Sequence, residues 1–101
     1  METITVQELS KISLDEITVL DVRTQCEYDL VNIKSQLIPL DELESRYSEL
    51  DKSKTIYCLC HHGVRSEFAA MILKSKGFKS VNILGGIDAW SLYVDSSVQR
   101  Y

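Results

Sequence analysis

The stretch Thr55–Lys76, TIYCLCHHGVRSEFAAMILKSK, contains a change of hydrophobic pattern that decides the fold class. Its first part, Thr55–Cys60, is β-branched and apolar and predicts a buried strand. Its second part, from Ser66 to Lys76, has helical spacing and predicts an amphipathic helix that ends at Gly77 in the left-handed conformation. The apolar face of this helix is predicted to contain Phe68, Ala69, Ile72 and Leu73. A strand followed by a loop and a helix is the unit of a parallel sheet.

The same step from strand to helix occurs at the preceding strand. Ile17–Val22 is aliphatic and β-branched and predicts a buried strand. Thr24 and Glu27 follow with the spacing of a capping box, in which each side chain satisfies a backbone donor of the other residue. A short helix through about Leu30 is expected.

Further elements along the chain continue the alternation. They are a brief strand at 3–5 and a helix at Val6–Ile12, a strand at Gln36–Leu40 that carries Pro39 at its end or on a sheet edge, a helix with Leu43, Tyr47 and Leu50 on one face, a strand at Val81–Leu84, and a short helix at Ile87–Trp90. This order predicts a three-layer α/β/α fold with a central, mostly parallel sheet. Without a repeat or linker, residues 1–101 are expected to be a single domain, with a tail at Asp95–Tyr101 that frays.

Composition and charge exclude several classes of function. The 101 residues are 45% hydrophobic and carry a formal net charge of −4, and no run of Lys or Arg interrupts the acidic balance. Binding to nucleic acid or to an anionic membrane is therefore not expected. The first ten residues do not have the pattern of a secretory signal, so a cytoplasmic location is expected.

Three cysteines provide the candidate nucleophile. Because their number is odd and no export signal is present, a disulfide framework is not expected for Cys26, Cys58 and Cys60. Cys60 ends its predicted strand, where the carboxyl edge of a parallel sheet commonly holds a site. Cys58 on the strand and Cys26 on a short amphipathic helix are interpreted as inert packing thiols.

The loop that follows Cys60 is suited to hold an anion. Backbone N–H groups in such a loop can converge on one point, and the free amides of the next helix add positive potential there. Gly63 allows a backbone conformation that other residues resist, and Arg65 adds a guanidinium suited to oxyanions. The same field favours the thiolate of Cys60, which is the form that attacks sulfur.

These residues also carry a resemblance to a known family. CHHGVRS between strand and helix resembles the active-site loop of rhodanese-like sulfurtransferases. LDVRTQCEYDL, the short strand Ile38–Leu40 and GFKSVNILGGIDAW are similar to other segments of that family. The resemblance covers roughly residues 17 to 92, nearly the whole chain. The family's Gly-His-Ile step is replaced here by the shorter Val31–Gln36, VNIKSQ, so a reshaped loop is expected; Asp21 and Arg23 are expected to hold the strand end.

The resemblance implies a thiosulfate sulfurtransferase-like enzyme in which Cys60 carries the transferred sulfur as a persulfide. The residues that would bind the substrate are His61, His62, Gly63, Val64, Arg65 and Ser66, with Arg65 as the principal anion contact. The partners implied are a small anion such as thiosulfate and a thiol or protein acceptor, with no cofactor. A sulfur-carrier or binding module with little turnover of its own is the alternative.

Two other kinds of site are less compatible with the spacing. Phosphatases and arsenate reductases also place a cysteine and an arginine around an anion, but in a wider loop than the four residues that separate Cys60 from Arg65. Cys58, Cys60, His61 and His62 are suitable zinc ligands by type, but no second ligand cluster follows. No metal site is predicted.

Overall fold

The central layer is one sheet of five parallel strands. The computed structural model describes residues 2–101, apart from the side chain of Leu14. The strands are β1 (Glu2–Ile4), β2 (Thr18–Asp21), β3 (Gln36–Leu37), β4 (Ile56–Leu59) and β5 (Ser80–Ile83). They lie in the order β1-β5-β4-β2-β3, so β4 is central, and Cys58 is in register with Leu20 on β2 and Asn82 on β5. The predicted α/β fold with a largely parallel sheet is confirmed.

The helices follow the predicted alternation but two of them are shorter. They are α1 (Val6–Leu9), α2 (Gln25–Leu30), α3 (Leu43–Arg46), α4 (Val64–Ser75) and α5 (Gly86–Tyr93), with 3-10 turns at Leu14–Glu16, Leu40–Glu42 and Tyr47–Glu49. α1 ends before the predicted Ile12, because the amides of Lys11 and Ile12 donate to carbonyls three residues back, at 3.1 Å each, and so form tighter turns than an α-helix. The predicted helix near Leu43 is one α-turn between two 3-10 turns.

Both faces of the sheet are covered, which gives the three predicted layers. Along β4, Ile56 and Cys58 point into one core with Leu73 of α4. Leu59 points to the opposite face, where it meets Ile87 of α5 in a second core that also contains residues of α1. Side chains of a strand alternate between the two faces, so a strand covered on both sides needs a continuous apolar run.

The predicted inner face of α4 was wrong at Phe68. Its ring is 57% exposed, whereas Ser66, Ala69, Ala70 and Leu73 are buried against the sheet. The two alanines present little volume and occupy the line of contact, so a ring one position before Ala69 points about 100° away from it. The predicted end of this helix is confirmed, since Gly77 has φ +89°.

None of the helices in residues 2–101 combines the length and the apolar character required to cross a bilayer.

Candidate active site

Cys60 lies directly after β4, at the carboxyl edge of the sheet. Its side chain is buried, with a residue exposure of 1%. The Gly63 amide donates to Cys60 Sγ at 3.0 Å, and the Ser66 hydroxyl lies 3.2 Å from the same sulfur. The loop therefore places two polar groups against one sulfur atom inside an otherwise apolar layer.

Gly63 gives the loop its curvature. Its φ is +103°, and a Cβ there would lie 3.2 Å from the Gly85 amide nitrogen, so both conformation and space favour glycine. Gly63 is also the N-cap of α4, and as a glycine it has no side chain with which to cap that helix. The free amides and positive dipole end of a twelve-residue helix therefore begin beside Cys60.

The amino end of α5 holds the loop from behind. The amides of Ile87 and Asp88 donate to the carbonyls of Cys60 and His61 at 2.8 and 3.2 Å. A Cβ on Gly86 would collide with both carbonyl oxygens. In the sequence, Gly85 and Gly86 are part of a segment similar to the family, and the structure gives their physical role: they bring one helix end against the cysteine loop.

Asn82 on β5 orients Ser66 and was not found from the sequence. Its Nδ2 donates to the Gly63 carbonyl at 3.1 Å, which turns Oδ1 toward the Ser66 hydroxyl at 2.5 Å. A serine hydroxyl has a single proton, so Asn82 Oδ1 and an ionised Cys60 compete for it. A periodic pattern does not reveal such a residue, because Asn82 simply appears as a polar residue inside a strand.

Arg65 does not stand free as an anion contact. Its Nη1 and Nη2 donate to Glu27 Oε1 and Oε2 at 2.6 and 2.9 Å, a bidentate pair between α4 and α2. The hydrogen bonds from Arg65 hold the pKa of the Glu27 carboxyl far below its usual range, although partial burial opposes them. Glu27 was predicted only as a helix-capping residue. That role is confirmed by the capping box of Thr24.

The two predicted histidines form a stack with Tyr101. The ring of His61 lies 3.9 Å from that of His62 and 3.8 Å from that of Tyr101, centroid to centroid. Burial, and next the neighbouring His62, lowers the pKa of His61 and so favours the neutral form of its ring. Its Nε2 is buried and has no hydrogen-bond partner in the described residues.

The end of the tail that the sequence predicts to fray makes side-chain contacts at the site. The Tyr101 hydroxyl accepts from Arg23 Nη1 at 3.0 Å and donates to Glu27 Oε2 at 2.6 Å, and Arg100 pairs with Asp88 at 2.8 Å. A polar composition favours fraying only when the side chains find no partners in the folded protein. Here the partners come from distant segments of the chain.

Asp21 and Arg23 hold the end of β2, as expected. Both side chains are fully buried and form an ion pair at 2.7 Å, and Arg23 also donates to the Val31 carbonyl at 2.7 Å. Val31 begins the segment that departs from the family pattern. Within that segment Lys34 has φ +60°, and the Asn32 side chain accepts from its amide.

The other two cysteines differ from each other. Cys58 is buried in the core as predicted, and burial, followed by the neighbouring Cys60, raises the pKa of its thiol to about 12. Cys26 was predicted as a packing thiol, but it is exposed because α2 buries none of its residues. Within the described residues, no group of three or more His, Cys, Asp or Glu side chains is placed to hold a metal ion.

Comparisons with known proteins agree with the fold. The profile of the Rhodanese-like domain family matches residues 5–93. A rhodanese-related protein of Thermoplasma volcanium superposes with a TM-score of 0.87 at 32% identity, covering 93% of this chain and 94% of that one. The rhodanese-like domain protein of Staphylococcus aureus superposes with a TM-score of 0.83 at 28% identity, covering 100% and 99%. The chain belongs to the rhodanese-like domain family.

The names of three relatives refer to the transfer or carriage of sulfur. YrkF, a candidate sulfur carrier protein of Bacillus subtilis, is 43% identical over 84 residues, which are 80% of this chain and 45% of that protein. The thiosulfate sulfurtransferase GlpE of Coxiella burnetii is 31% identical over 84 residues, covering 81% and 78%. A tRNA sulfurtransferase of Histophilus somni is 37% identical over 87 residues but is matched over only 18% of its length. The chain thus spans less than half of YrkF and a smaller part of the tRNA sulfurtransferase.

Proposed function

We propose that this protein is a sulfurtransferase that carries a sulfane sulfur as a persulfide on Cys60. The observation that carries the proposal is the position of Cys60 Sγ, 3.0 Å from the Gly63 amide at the uncapped end of α4. That position suits a sulfur anion, because an N–H donor and the positive end of a helix both stabilise negative charge. Cys58, two residues earlier, has no such surroundings.

The proposed reaction has two displacements. With thiosulfate as donor, the Cys60 thiolate attacks the outer sulfur, the bond between the two sulfur atoms of thiosulfate breaks, and sulfite leaves with the bonding electrons. An acceptor thiolate then attacks the outer sulfur of the persulfide and regenerates the Cys60 thiolate. The amides of the loop at 61–66 would stabilise the negative sulfur of the intermediate.

Each loop residue has a proposed part in binding the substrate. Gly63 and Val64 contribute backbone to the cradle, Ser66 contributes a hydroxyl, and His61 and His62 form its outer wall. Arg65 would bind the sulfite leaving group if the arginine side chain rotated away from Glu27. No cofactor or metal enters this scheme.

The test is mass spectrometry of the reduced protein after exposure to thiosulfate. One sulfur atom should appear on the peptide that contains Cys60 and should be lost on treatment with dithiothreitol. Cys60→Ser should abolish loading while circular dichroism shows an intact fold. Cys26→Ser is the matched control, since it removes an exposed thiol outside the loop and should load normally. Loading of the Cys60→Ser variant at another cysteine would contradict the assignment.

A second candidate is a carrier that exchanges sulfur with a protein partner. One structural feature favours it: Val64, Phe68 and Met71 are 65%, 57% and 54% exposed and follow one another at helical spacing along α4. The apolar stripe begins in the active-site loop, so a protein that brings a persulfide cysteine to Cys60 would cover it. The name of YrkF is consistent with this role.

The two candidates differ in their dependence on Phe68. Loading from a protein persulfide donor, such as a cysteine desulfurase, should be several times slower in Phe68→Ser if the stripe is a contact surface. Loading from a small donor should be unchanged in the same variant. Equal rates from the protein donor in wild type and variant would remove the support that the stripe gives to the carrier role.

A further inference from the structure

The arginine expected to bind the anion at the proposed sulfur site is already bound by a carboxylate. Arg65 is the arginine of the cysteine loop, and both of its terminal nitrogens donate to Glu27. A small anion that used Arg65 would have to displace an intramolecular bidentate partner. Such a partner is present at high effective concentration, because the fold holds both groups.

Glu27 is fixed independently of Arg65. Its Oε1 accepts from the Thr24 amide and hydroxyl at 3.3 and 3.2 Å, and its Oε2 accepts from the Tyr101 hydroxyl at 2.6 Å. These donors come from the amino end of α2 and from residue 101. They hold the carboxylate at the loop whether or not Arg65 remains in contact.

Arg65 and two other arginines around the loop are each paired with a carboxylate. The pairs are Arg23 with Asp21 at 2.7 Å, Arg65 with Glu27 at 2.6 Å and Arg100 with Asp88 at 2.8 Å. These six charges sum to zero. Ionisation of Cys60 therefore makes this set of groups net negative, which is unfavourable for a dianion such as thiosulfate.

We propose that Glu27 sets the donor class of this protein by neutralising Arg65, so that the site favours sulfur donors with little negative charge next to the transferred sulfur. Persulfides of thiols have this property, whereas thiosulfate places a sulfonate directly beside it. The inference rests on the proposed function of Cys60 and specifies its substrate class. Glu27 acts through Arg65 and is a specificity-determining residue, not a catalytic one.

The test compares two donors that transfer the same sulfur but differ in charge. Thiosulfate is a dianion and methanethiosulfonate a monoanion; each loses its outer sulfur to the Cys60 thiolate, and the leaving groups are sulfite and methanesulfinate. Glu27→Gln removes the charge and keeps a side chain that still fits a capping box with Thr24. The KM for thiosulfate should fall by about tenfold. This is the Coulomb effect of one charge on a dianion about 6 Å away in a water-like medium.

The charge of the donor sets the pattern of the result. Because the Coulomb energy is proportional to charge, the KM for methanethiosulfonate should fall by about the square root of that factor, or about threefold. The kcat for both donors should stay within about twofold, since Glu27 does not touch the reacting sulfur. A merely structural role of Glu27 would change kcat, or both KM values equally.

Glu49→Gln is the matched control. It removes one charge from another bidentate glutamate–arginine pair, with Arg46, in the 3-10 turn at Tyr47–Glu49 and so outside the cysteine loop and α2. It should leave both KM values unchanged.

The dependence of the wild-type KM on ionic strength is a second measurement that needs no variant. The KM for thiosulfate should stay level or fall as the salt concentration rises, because low salt strengthens the attraction of an anion only to a positively charged site.

The outcomes separate this inference from the proposed function. If the wild type gains no sulfur on Cys60 from either small donor or from a protein persulfide donor, the proposed function fails. If the wild type loads and Glu27→Gln keeps the wild-type KM ratio of the two donors, the role of Glu27 is refuted and the proposed function stands. If Glu27→Gln does not fold, a wild-type KM for thiosulfate that rises with salt would overturn the inference, and a level or falling one would support it.

Discussion

Replacement of Asp21 by asparagine should strongly destabilise the domain. Asp21 and Arg23 have fully buried side chains, and the Asp21 carboxylate accepts from Arg23 Nε at 3.0 and 3.1 Å and from Nη2 at 2.7 Å. Asparagine has nearly the same shape, so the substitution leaves no cavity. It removes the charge and places an N–H₂ donor where one carboxylate oxygen accepts.

The magnitude follows from the burial of both groups. Removing one partner of a buried ion pair leaves an uncompensated charge, which typically costs about 3–5 kcal/mol. A domain of this size has a total stability of about 5–15 kcal/mol, so the loss is a large fraction of it. At roughly 4–8 °C per kcal/mol, the melting temperature should fall by about 15 °C or more.

Urea unfolding followed by far-ultraviolet circular dichroism, together with thermal melts, measures this loss. The matched control is Glu49→Gln, which breaks the exposed pair with Arg46 and should change stability little, because water solvates both groups in either state. A loss below about 1 kcal/mol in Asp21→Asn would refute the reasoning. It would mean that the other partners of Arg23, the carbonyls of Val31 and Glu27 and the Tyr101 hydroxyl, are enough to stabilise the buried guanidinium.

Two further predictions concern glycines and thiols. Gly86→Ala should reduce the yield of folded protein and sulfur loading, because the new Cβ would meet two backbone carbonyls of the cysteine loop. In Gly77→Ala the new Cβ meets only a flexible lysine end at 3.5 Å, so the substitution should cost about 1 kcal/mol of stability. Equal melting temperatures of the two variants would contradict this difference. Burial raises the pKa of the Cys58 thiol to about 12, so Cys58 should resist iodoacetamide at pH 8 in the folded protein while the exposed Cys26 reacts. Peptide mapping measures the labelling of each cysteine. Equal labelling of both would show that Cys58 is accessible.

The sequence predicted the features that depend on neighbours along the chain. The apolar run Thr55–Cys60 identified the central strand, Thr24 and Glu27 identified a helix start, and Gly77 identified a helix end. Each of these signals arises from the backbone geometry and hydrogen bonds of a few consecutive residues, so it is visible without the tertiary structure. The position of Cys60 at a sheet edge followed from the same local patterns.

The tertiary structure alone decided which distant side chains meet at the site. Arg65 pairs with Glu27 across 38 positions, and Tyr101 reaches Glu27 across 74. Asn82 orients Ser66 across 16 positions. Hydrophobic periodicity reports which face of an element is buried, but not which polar groups the folded chain brings within hydrogen-bond distance. Those pairings depend on the order of the strands, which places the carboxyl ends of β2, β4 and β5 side by side at one edge of the sheet.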